Sequence, residues 1–349
     1  MQNWMIYGAN GYSGRLIAAE ALRLGLRPVL AGRGAAVEEL GAELGLPVRR
    51  FDLGDGAATL AALTDMELVL NCAGPFSRTA AAMMAACLQV KAHYLDITGE
   101  FPVFEHARSL HATAVEKGIV LCPGVGFDVI PTDCLAVALK RALPDATSLT
   151  LGFDTSSSLS PGTTKTVIEN LHEGGKIRRG GELVTVPNAW RVRKINFGFG
   201  SKWAMTLPWG DISTAYASTG IPNIKVYVAV PRKTARLSRW TDWARGIYRQ
   251  AWLQRFLLRW VDKHVQGPDA EQRAMLRTAV WGKVRNAEGV TRNARVETAS
   301  VYALTVYGAV AMVRWLKEHE VAGGYYTPAM LAGPELVERL PGSSEIRIV

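Results

Sequence analysis

Seven residues near the start of the chain, Gly8-Ala9-Asn10-Gly11-Tyr12-Ser13-Gly14, have the types and spacing to hold a pyrophosphate. A side chain obstructs a backbone that must pass close to phosphate oxygens, and Gly8 and Gly11 carry none. Gly14 lets a following helix press onto the preceding strand. Asn10, Tyr12 and Ser13 complete the turn. The chemistry is dinucleotide binding, with the N–H groups of a first helical turn facing the phosphates. Glycine spacing alone is a weak signal; its flanks strengthen it here. Trp4-Met5-Ile6-Tyr7 is a short apolar run suited to a buried strand, and Arg15-Leu16-Ile17 resumes at helical spacing.

Other candidates stand at the ends of later strands. Pro28-Val29-Leu30-Ala31 predicts a second strand, ending at Gly32-Arg33-Gly34. An acid there would bind the ribose 2′-hydroxyl of NAD, whereas an arginine favours the 2′-phosphate of NADP. Arg33 is present and residues 31–36 hold no acid, so NADP is favoured over NAD; the alternative is that Arg33 is a solvated loop residue. Asp52 follows a third strand and either caps a turn or touches the adenine. Ala73, Gly74 and Pro75 follow a fourth strand, where small residues suit passage of the ribose and nicotinamide. Asp128 and Glu100 are the candidate catalytic groups. Each could orient a substrate or move a proton, and each could equally cap a turn. His93 and His172 are the only histidines worth considering, and His93, at a strand start, suits a structural role. Hydride transfer needs a proton donor only where an oxyanion, enolate or imine forms, so the choice stays open without a substrate.

These residues require a regular strand–helix alternation, and the chain supplies one up to Cys122, with spacing suited to right-handed parallel crossovers. Residues 1–130 therefore predict a dinucleotide-binding, Rossmann-type doubly wound parallel sheet. Residues 131–300 predict an α+β domain with a mostly antiparallel or mixed sheet, for substrate or dimer contacts. Within it, 154–164 is expected as a loop, 166–172 as a helix and 176–230 as a run of strands; 279–285 and 293–300 are expected to pair around Glu288-Gly289. Residues 301–349 are expected to pack back on the first domain, with helices at 301–317 and 328–340.

Several stretches carry a family resemblance. They are Gly8 to Gly14, Ala31-Gly32-Arg33, Asn71-Cys72-Ala73-Gly74-Pro75-Phe76, Tyr94-Leu95-Asp96-Ile97-Thr98-Gly99-Glu100 and Pro123-Gly124-Val125-Gly126-Phe127-Asp128-Val129-Ile130-Pro131-Thr132-Asp133. Toward the end, Trp281-Gly282, Thr327-Pro328 and Leu340-Pro341-Gly342 join them. The sequence resembles the saccharopine dehydrogenase-like oxidoreductases, and their lipid-associated, enoyl-reductase-like branch more than the lysine-pathway enzymes. The resemblance is weakest over 157–270. It implies the fold and the cofactor more firmly than the substrate. The function expected is NADP-dependent hydride transfer to or from a C=C, C=N or C=O carbon of a small hydrophobic substrate, lipids included. The lack of an obvious catalytic dyad motivates an alternative: a non-catalytic NAD(P)-binding protein acting at membranes or with protein partners.

Composition bounds the rest. Of 349 residues, 48% are hydrophobic and 20% charged, as in a globular protein with a sizeable core. The four cysteines show no metal-ligand spacing, so no metal is expected, and their apolar neighbours suggest buried thiols in a cytoplasmic protein. Met1 leads straight into a strand, so no signal peptide is expected; residues 299–313 are too short an apolar run to span a bilayer. The net charge of +9 is local. Arg232, Lys233, Arg236, Arg239, Arg245, Arg249, Arg255, Arg259 and Lys263 face only Asp242 and Asp262, which gives +7 for that stretch (9 − 2). Four tryptophans, Trp240, Trp243, Trp252 and Trp260, lie among these cations. The apolar face shifts by half a turn near residue 252, so two helices, or one broken near 250–254, are expected. Two readings of 235–264 stay open: peripheral membrane contact, or a helical pair packed on the protein with a solvated basic rim. No nucleic-acid reader motif is present, so no nucleic acid partner is expected. A homodimer through the second domain is a further expectation.

Overall fold

The computed structural model describes residues 3–155, 171–248, 250–264 and 276–349. It contains two compact units, Met1–Ile130 with Tyr302–Leu340, and Pro131–Val301 with Pro341–Val349.

The first unit alternates as its sequence requires: β1 (Trp4–Tyr7), α1 (Tyr12–Arg23), β2 (Val29–Gly32), α2 (Ala36–Leu44), β3 (Val48–Arg50), α3 (Gly56–Leu63), β4 (Leu68–Asn71), α4 (Phe76–Val90), β5 (His93–Asp96), α5 (Phe101–Ser109), α6 (His111–Lys117) and β6 (Val120–Cys122). All pairings among these strands are parallel. Every residue of β1 and β4 is buried. That is why their sequences are continuous apolar runs rather than alternating ones: helices cover both faces of the sheet.

The second unit is built on α7 (Ile130–Ala142), β7 (Ser148–Thr155), β8 (Gly175–Arg179), β9 (Glu182–Val186), β10 (Val192–Asn196), β11 (Ser201–Thr206), α8 (Asp211–Thr219), β12 (Asn223–Ala229), α9 (Arg232–Trp240), α10 (Arg245–Tyr248), α11 (Ala251–His264), β13 (Arg277–Arg285) and β14 (Thr291–Ala299). Its sheet is mixed: β7 is parallel to β12 and antiparallel to β13, and the hairpin β13–β14 extends it. Leu135 and Leu139 of α7 press on Gly282 of β13, so α7 covers that face.

The chain returns to the first unit with α12 (Val301–Glu318), β15 (Gly324–Tyr325), α13 (Pro328–Ala332) and α14 (Leu336–Arg339). The first sheet thus has seven parallel strands in the order β15-β6-β5-β4-β1-β2-β3. The strand order reverses at the β1/β4 pair, and the loops after these two strands form the crevice that doubly wound sheets use for ligands.

Four local expectations change. The stretch 176–230 contains a helix, α8, whose residues Asp211 to Ala215 are all buried. Its β-branched content resembles a strand; burial outweighs that weak preference, and Gly220 in the left-handed region ends it. Residues 328–340 form two short helices, α13 and α14, because Gly333-Pro334 interrupts them. The last strand, β16 (Arg347–Ile348), pairs with β14 in the second unit instead of returning to the first. Asp154 and Thr155 belong to β7, whereas the rest of the expected loop and most of the 166–172 helix lie outside the described residues; only a 3-10 turn, Leu171–Glu173, is described there.

Candidate functional site

The β1–α1 turn is held against its neighbours by backbone. Gly8 N and Ala9 N both donate to Ala31 O, at 2.8 and 3.1 Å, which ties the turn to β2. Gly8 sits at φ +78°, and a Cβ there would lie 2.7 Å from Ala73 N and 2.9 Å from Ala73 Cα. Two effects therefore exclude a side chain: the left-handed backbone and the β4–α4 loop directly above. A Cβ on Gly14 would meet the Gly8 carbonyl oxygen and come within 2.8 Å of Ala9 Cα. Gly11 differs. Its φ is −73°, and its only close neighbour is Gly8 O at 3.2 Å. Its missing side chain serves space outside the protein, as a phosphate cradle needs. No side chain caps α1 at Gly11, and the first-turn N–H groups of Tyr12, Ser13 and Gly14 give this end of the helix its positive field. The Tyr12 ring meets Tyr302 edge-on, with centroids 5.1 Å apart.

The residues expected on the adenosine side lie at the ends of β2 and β3. Asn10 Oδ1 occupies the space a Cβ on Gly32 would fill, 2.9 Å away. Arg33 follows and is exposed; no carboxylate among the described residues pairs with it. Asp52 Oδ1 accepts from Gly54 N at 2.8 Å, so Asp52 caps its own turn. Burial, and then the Asp52 charge, push the Tyr7 phenol upward, while the Leu53 N–H and Arg33 oppose them. Arg33, Asp52 and Tyr7 are therefore one neighbourhood.

The opposite wall is a polar network. Asp96, at the end of β5, is fully buried. Its Oδ1 accepts from Thr98 N (2.9 Å) and Gly124 N (2.8 Å), and its Oδ2 accepts from the Tyr94 hydroxyl at 2.6 Å. Burial raises the Asp96 carboxyl to about 6 despite these donors. Asn71, at the end of β4, accepts from Ala73 N with Oδ1 at 3.0 Å, and its amide donates to Thr79 Oγ1 at 3.2 Å and to the Tyr94 hydroxyl at 3.4 Å. Ala73, Gly74 and Pro75 are thereby fixed from below. The network locks together the loops after β4, β5 and β6, the edge where ligands meet such sheets.

The two candidate acids stand in this wall and differ in kind. Glu100 accepts from Phe76 N (2.9 Å) and Ser77 N (2.8 Å), one oxygen each. It is the missing cap of α4, whose own N-cap is Pro75. Asp128 packs on Gly99, where a Cβ would lie 2.8 Å from its Oδ2. Burial first, and the Glu100 charge second, push its carboxyl up to about 7. The loop before it is pinned from α12: Phe127 N donates to Thr305 Oγ1 at 3.1 Å, and Gly126 packs on that threonine. His93 accepts from Val120 N through Nδ1 at 2.8 Å and is structural. Cys87, Cys122 and Cys134 are buried, Cys72 half-buried, and all four are free thiols. Burial raises the Cys72 and Cys87 thiols far above their usual range.

Sequence reasoning gave no role to Asn71, Tyr94, Asp96 or Thr305. One signal was available: β4 and β5 are apolar runs that end in a polar residue, Asn71 and Asp96, and a polar group at the carboxyl end of a fully buried strand needs dedicated partners.

Residues 4–122 match the saccharopine dehydrogenase NADP-binding domain. This stretch belongs to that family. NADP is accordingly its cofactor, the choice expected from Arg33. A human saccharopine dehydrogenase-like oxidoreductase is 26% identical over 260 residues, covering 66% of this chain and 58% of that protein. A trans-acting enoyl reductase of Mycobacterium tuberculosis is 29% identical over 199 residues, covering 52% and 48%. The chain spans about half the length of these curated relatives. Apo saccharopine dehydrogenase (L-Glu forming) from Saccharomyces cerevisiae superposes with a TM-score of 0.68 over 100% of both chains at 13% identity, which establishes the shared fold.

Proposed function

We propose that the protein is an NADP-dependent oxidoreductase that passes a hydride between the nicotinamide and a C=C, C=N or C=O carbon of a small hydrophobic substrate. One observation carries the reading: Gly8 is pressed on Ala73 while exposed Gly11 has a single close neighbour, the Gly8 carbonyl oxygen, which fits a pyrophosphate cradle at a strand-order reversal. Bound NADP supplies the hydride donor or acceptor. Gly8, Asn10, Gly11, Tyr12, Ser13 and Gly14 hold the pyrophosphate, Arg33 holds the 2′-phosphate, and Ala73, Gly74 and Pro75 shape the passage for the nicotinamide ribose. Asp128 carries the proton: it stands against Gly99 in the loop after β6, at the sheet edge where ligands bind, and burial and the Glu100 charge push its carboxyl up to about 7. Glu100 positions the start of α4, since both its oxygens hold that helix, and its charge adds to the burial that raises Asp128. The enoyl reductases among the relatives favour a conjugated C=C carbon.

Separate fluorescence titrations with NADPH and NADH test the cofactor half, with tighter NADPH binding expected. Turnover of NADPH with enoyl, keto and imine compounds of increasing chain length tests the chemistry. Saturable NADPH binding without oxidation across these classes would leave the second reading, a non-catalytic NADP-binding protein; the occupation of Glu100 by α4 is the feature that favours it.

A further inference from the structure

The helices after β12 carry an apolar surface that the first unit's chemistry does not use. In α11, Trp252, Phe256 and Trp260 follow one another at four-residue steps, a stripe about 80° wide at about 100° per residue. These side chains are 62%, 62% and 49% exposed. The adjoining side of the helix is already packed: Val261 is buried, and Leu253 and Leu257 are half-buried. The apolar face therefore covers about half the circumference, and the aromatic stripe is the part of it left in water. In α9, Ala235 is buried while Leu237 and Trp240 are exposed, and Trp243 in the following 3-10 turn is 76% exposed. Monomeric soluble proteins rarely expose so many large apolar groups on one short segment.

Charge separates the candidate occupants. Arg232, Lys233, Arg236, Arg239, Arg255 and Arg259 are all exposed on the same helices. On the α11 wheel, Arg255 and Arg259 lie along one edge of the aromatic stripe. Asp242, one of the two acids of the stretch, accepts from Asn188 N through Oδ1 at 2.7 Å and lines a pocket together with Arg236, Arg239, Trp240 and Trp243. A second copy meeting this surface about a twofold axis would bring like charges together. An anionic bilayer surface attracts the cations and accepts indole and phenyl rings at headgroup depth. We infer that α9, the 3-10 turn Thr241–Ala244 and α11 form a peripheral docking surface for anionic phospholipid membranes.

The break between α10 and α11 fits this role. Two short helices can both lie in an interface where one straight helix, with its apolar face displaced by half a turn, cannot. Among the described residues no helix is long and apolar enough to cross a bilayer, so contact through these helices is interfacial.

The test is co-flotation of the full chain with vesicles of phosphatidylcholine alone, or of phosphatidylcholine with phosphatidylserine. Binding is expected only to the second, weakening as salt is raised. Brominated acyl chains are expected to quench tryptophan emission. The double variant Trp252→Ala/Phe256→Ala is expected to lower partitioning about tenfold or more, because two rings lose apolar contact with lipid. Both side chains are exposed, so the fold is retained, and unchanged NADPH affinity is the control. The NADPH control is read without vesicles, so failure of the membrane reading and failure of the oxidoreductase reading are distinguishable. No flotation with phosphatidylserine vesicles, or equal flotation of the variant, would overturn the proposal. So would concentration-dependent dimerisation abolished by the variant with no vesicle binding, which would assign the surface to a second copy.

Discussion

Gly11 and Gly14 lie three residues apart in the same turn, yet replacing each by alanine should damage different properties. Gly11 has φ −73°, a conformation alanine adopts readily, and its added methyl would meet only Gly8 O at 3.2 Å. Gly11→Ala should therefore change stability by no more than about 0.5 kcal/mol. The methyl would, however, stand where the pyrophosphate must approach the backbone. NADPH affinity should fall at least about tenfold, or about 1.4 kcal/mol. Gly14 lies inside α1, where glycine to alanine would ordinarily stabilise by about 1 kcal/mol. Here the methyl would run into the Gly8 carbonyl and Ala9 Cα, both backbone atoms that cannot swing aside. Overpacking of this kind costs about 1–3 kcal/mol and should more than offset the helix gain, so Gly14→Ala should lower Tm by a few degrees. Thermal unfolding without ligand and NADPH titration by fluorescence separate the two effects. Wild-type NADPH affinity in Gly11→Ala would refute the cradle, and a Gly14→Ala protein as stable as wild type would refute the packing argument.

Arg33→Ala should weaken NADPH about ten- to hundredfold while leaving NADH within a factor of about two, because only the 2′-phosphate loses a charge-assisted hydrogen bond; equal losses for both cofactors would remove Arg33 from the site. If Asp128 donates the proton, reductive turnover should fall above about pH 7, where its carboxyl ionises; Asp128→Asn should abolish that limb and lower kcat by about 10²–10⁴, and an unchanged profile would exclude Asp128. The same raised carboxyl favours the folded state at low pH, and that contribution is lost as pH rises through about 7. Asp128→Asn should accordingly unfold at a higher temperature than wild type at pH 8, and a lower one would contradict the burial. Glu100→Gln removes the charge that helps raise Asp128, so the alkaline limb should shift to lower pH; a limb that stays in place would mean Glu100 does not act on Asp128.

Much of the first unit was legible in the chain itself. Its strands are buried on both faces, so they appear as short unbroken apolar runs, and glycine turns punctuate them; this gave the alternation, the parallel sheet and the opening strand–turn–helix order. The cofactor expected from the sequence, NADP, is the one that the matching domain binds. The second unit was less so. Helix α8 is held by burial rather than by its own preferences, so Asp211-Ile212-Ser213-Thr214 resembled part of a strand run.

The roles of the acids were decided only by the fold. In sequence, Glu100 and Asp128 were two carboxylates with the same alternatives. In space, Phe76 and Ser77 supply donors to Glu100 from 24 and 23 residues away, and Gly99 leaves the room that Asp128 fills. The partners of Asp96 include Gly124, 28 residues distant, and the loop bearing Asp128 is tied to Thr305, 178 residues beyond Phe127. The sequence alone determined what depends on local conformation and local burial: the strand–turn–helix cradle, its glycines and the arginine at the next strand end. The tertiary structure decided which buried polar groups satisfy one another and which carboxyls burial pushes toward neutrality. The reason is physical: a hydrogen bond or a desolvation cost depends on what surrounds a group in space, and that neighbourhood is assembled from distant parts of the chain.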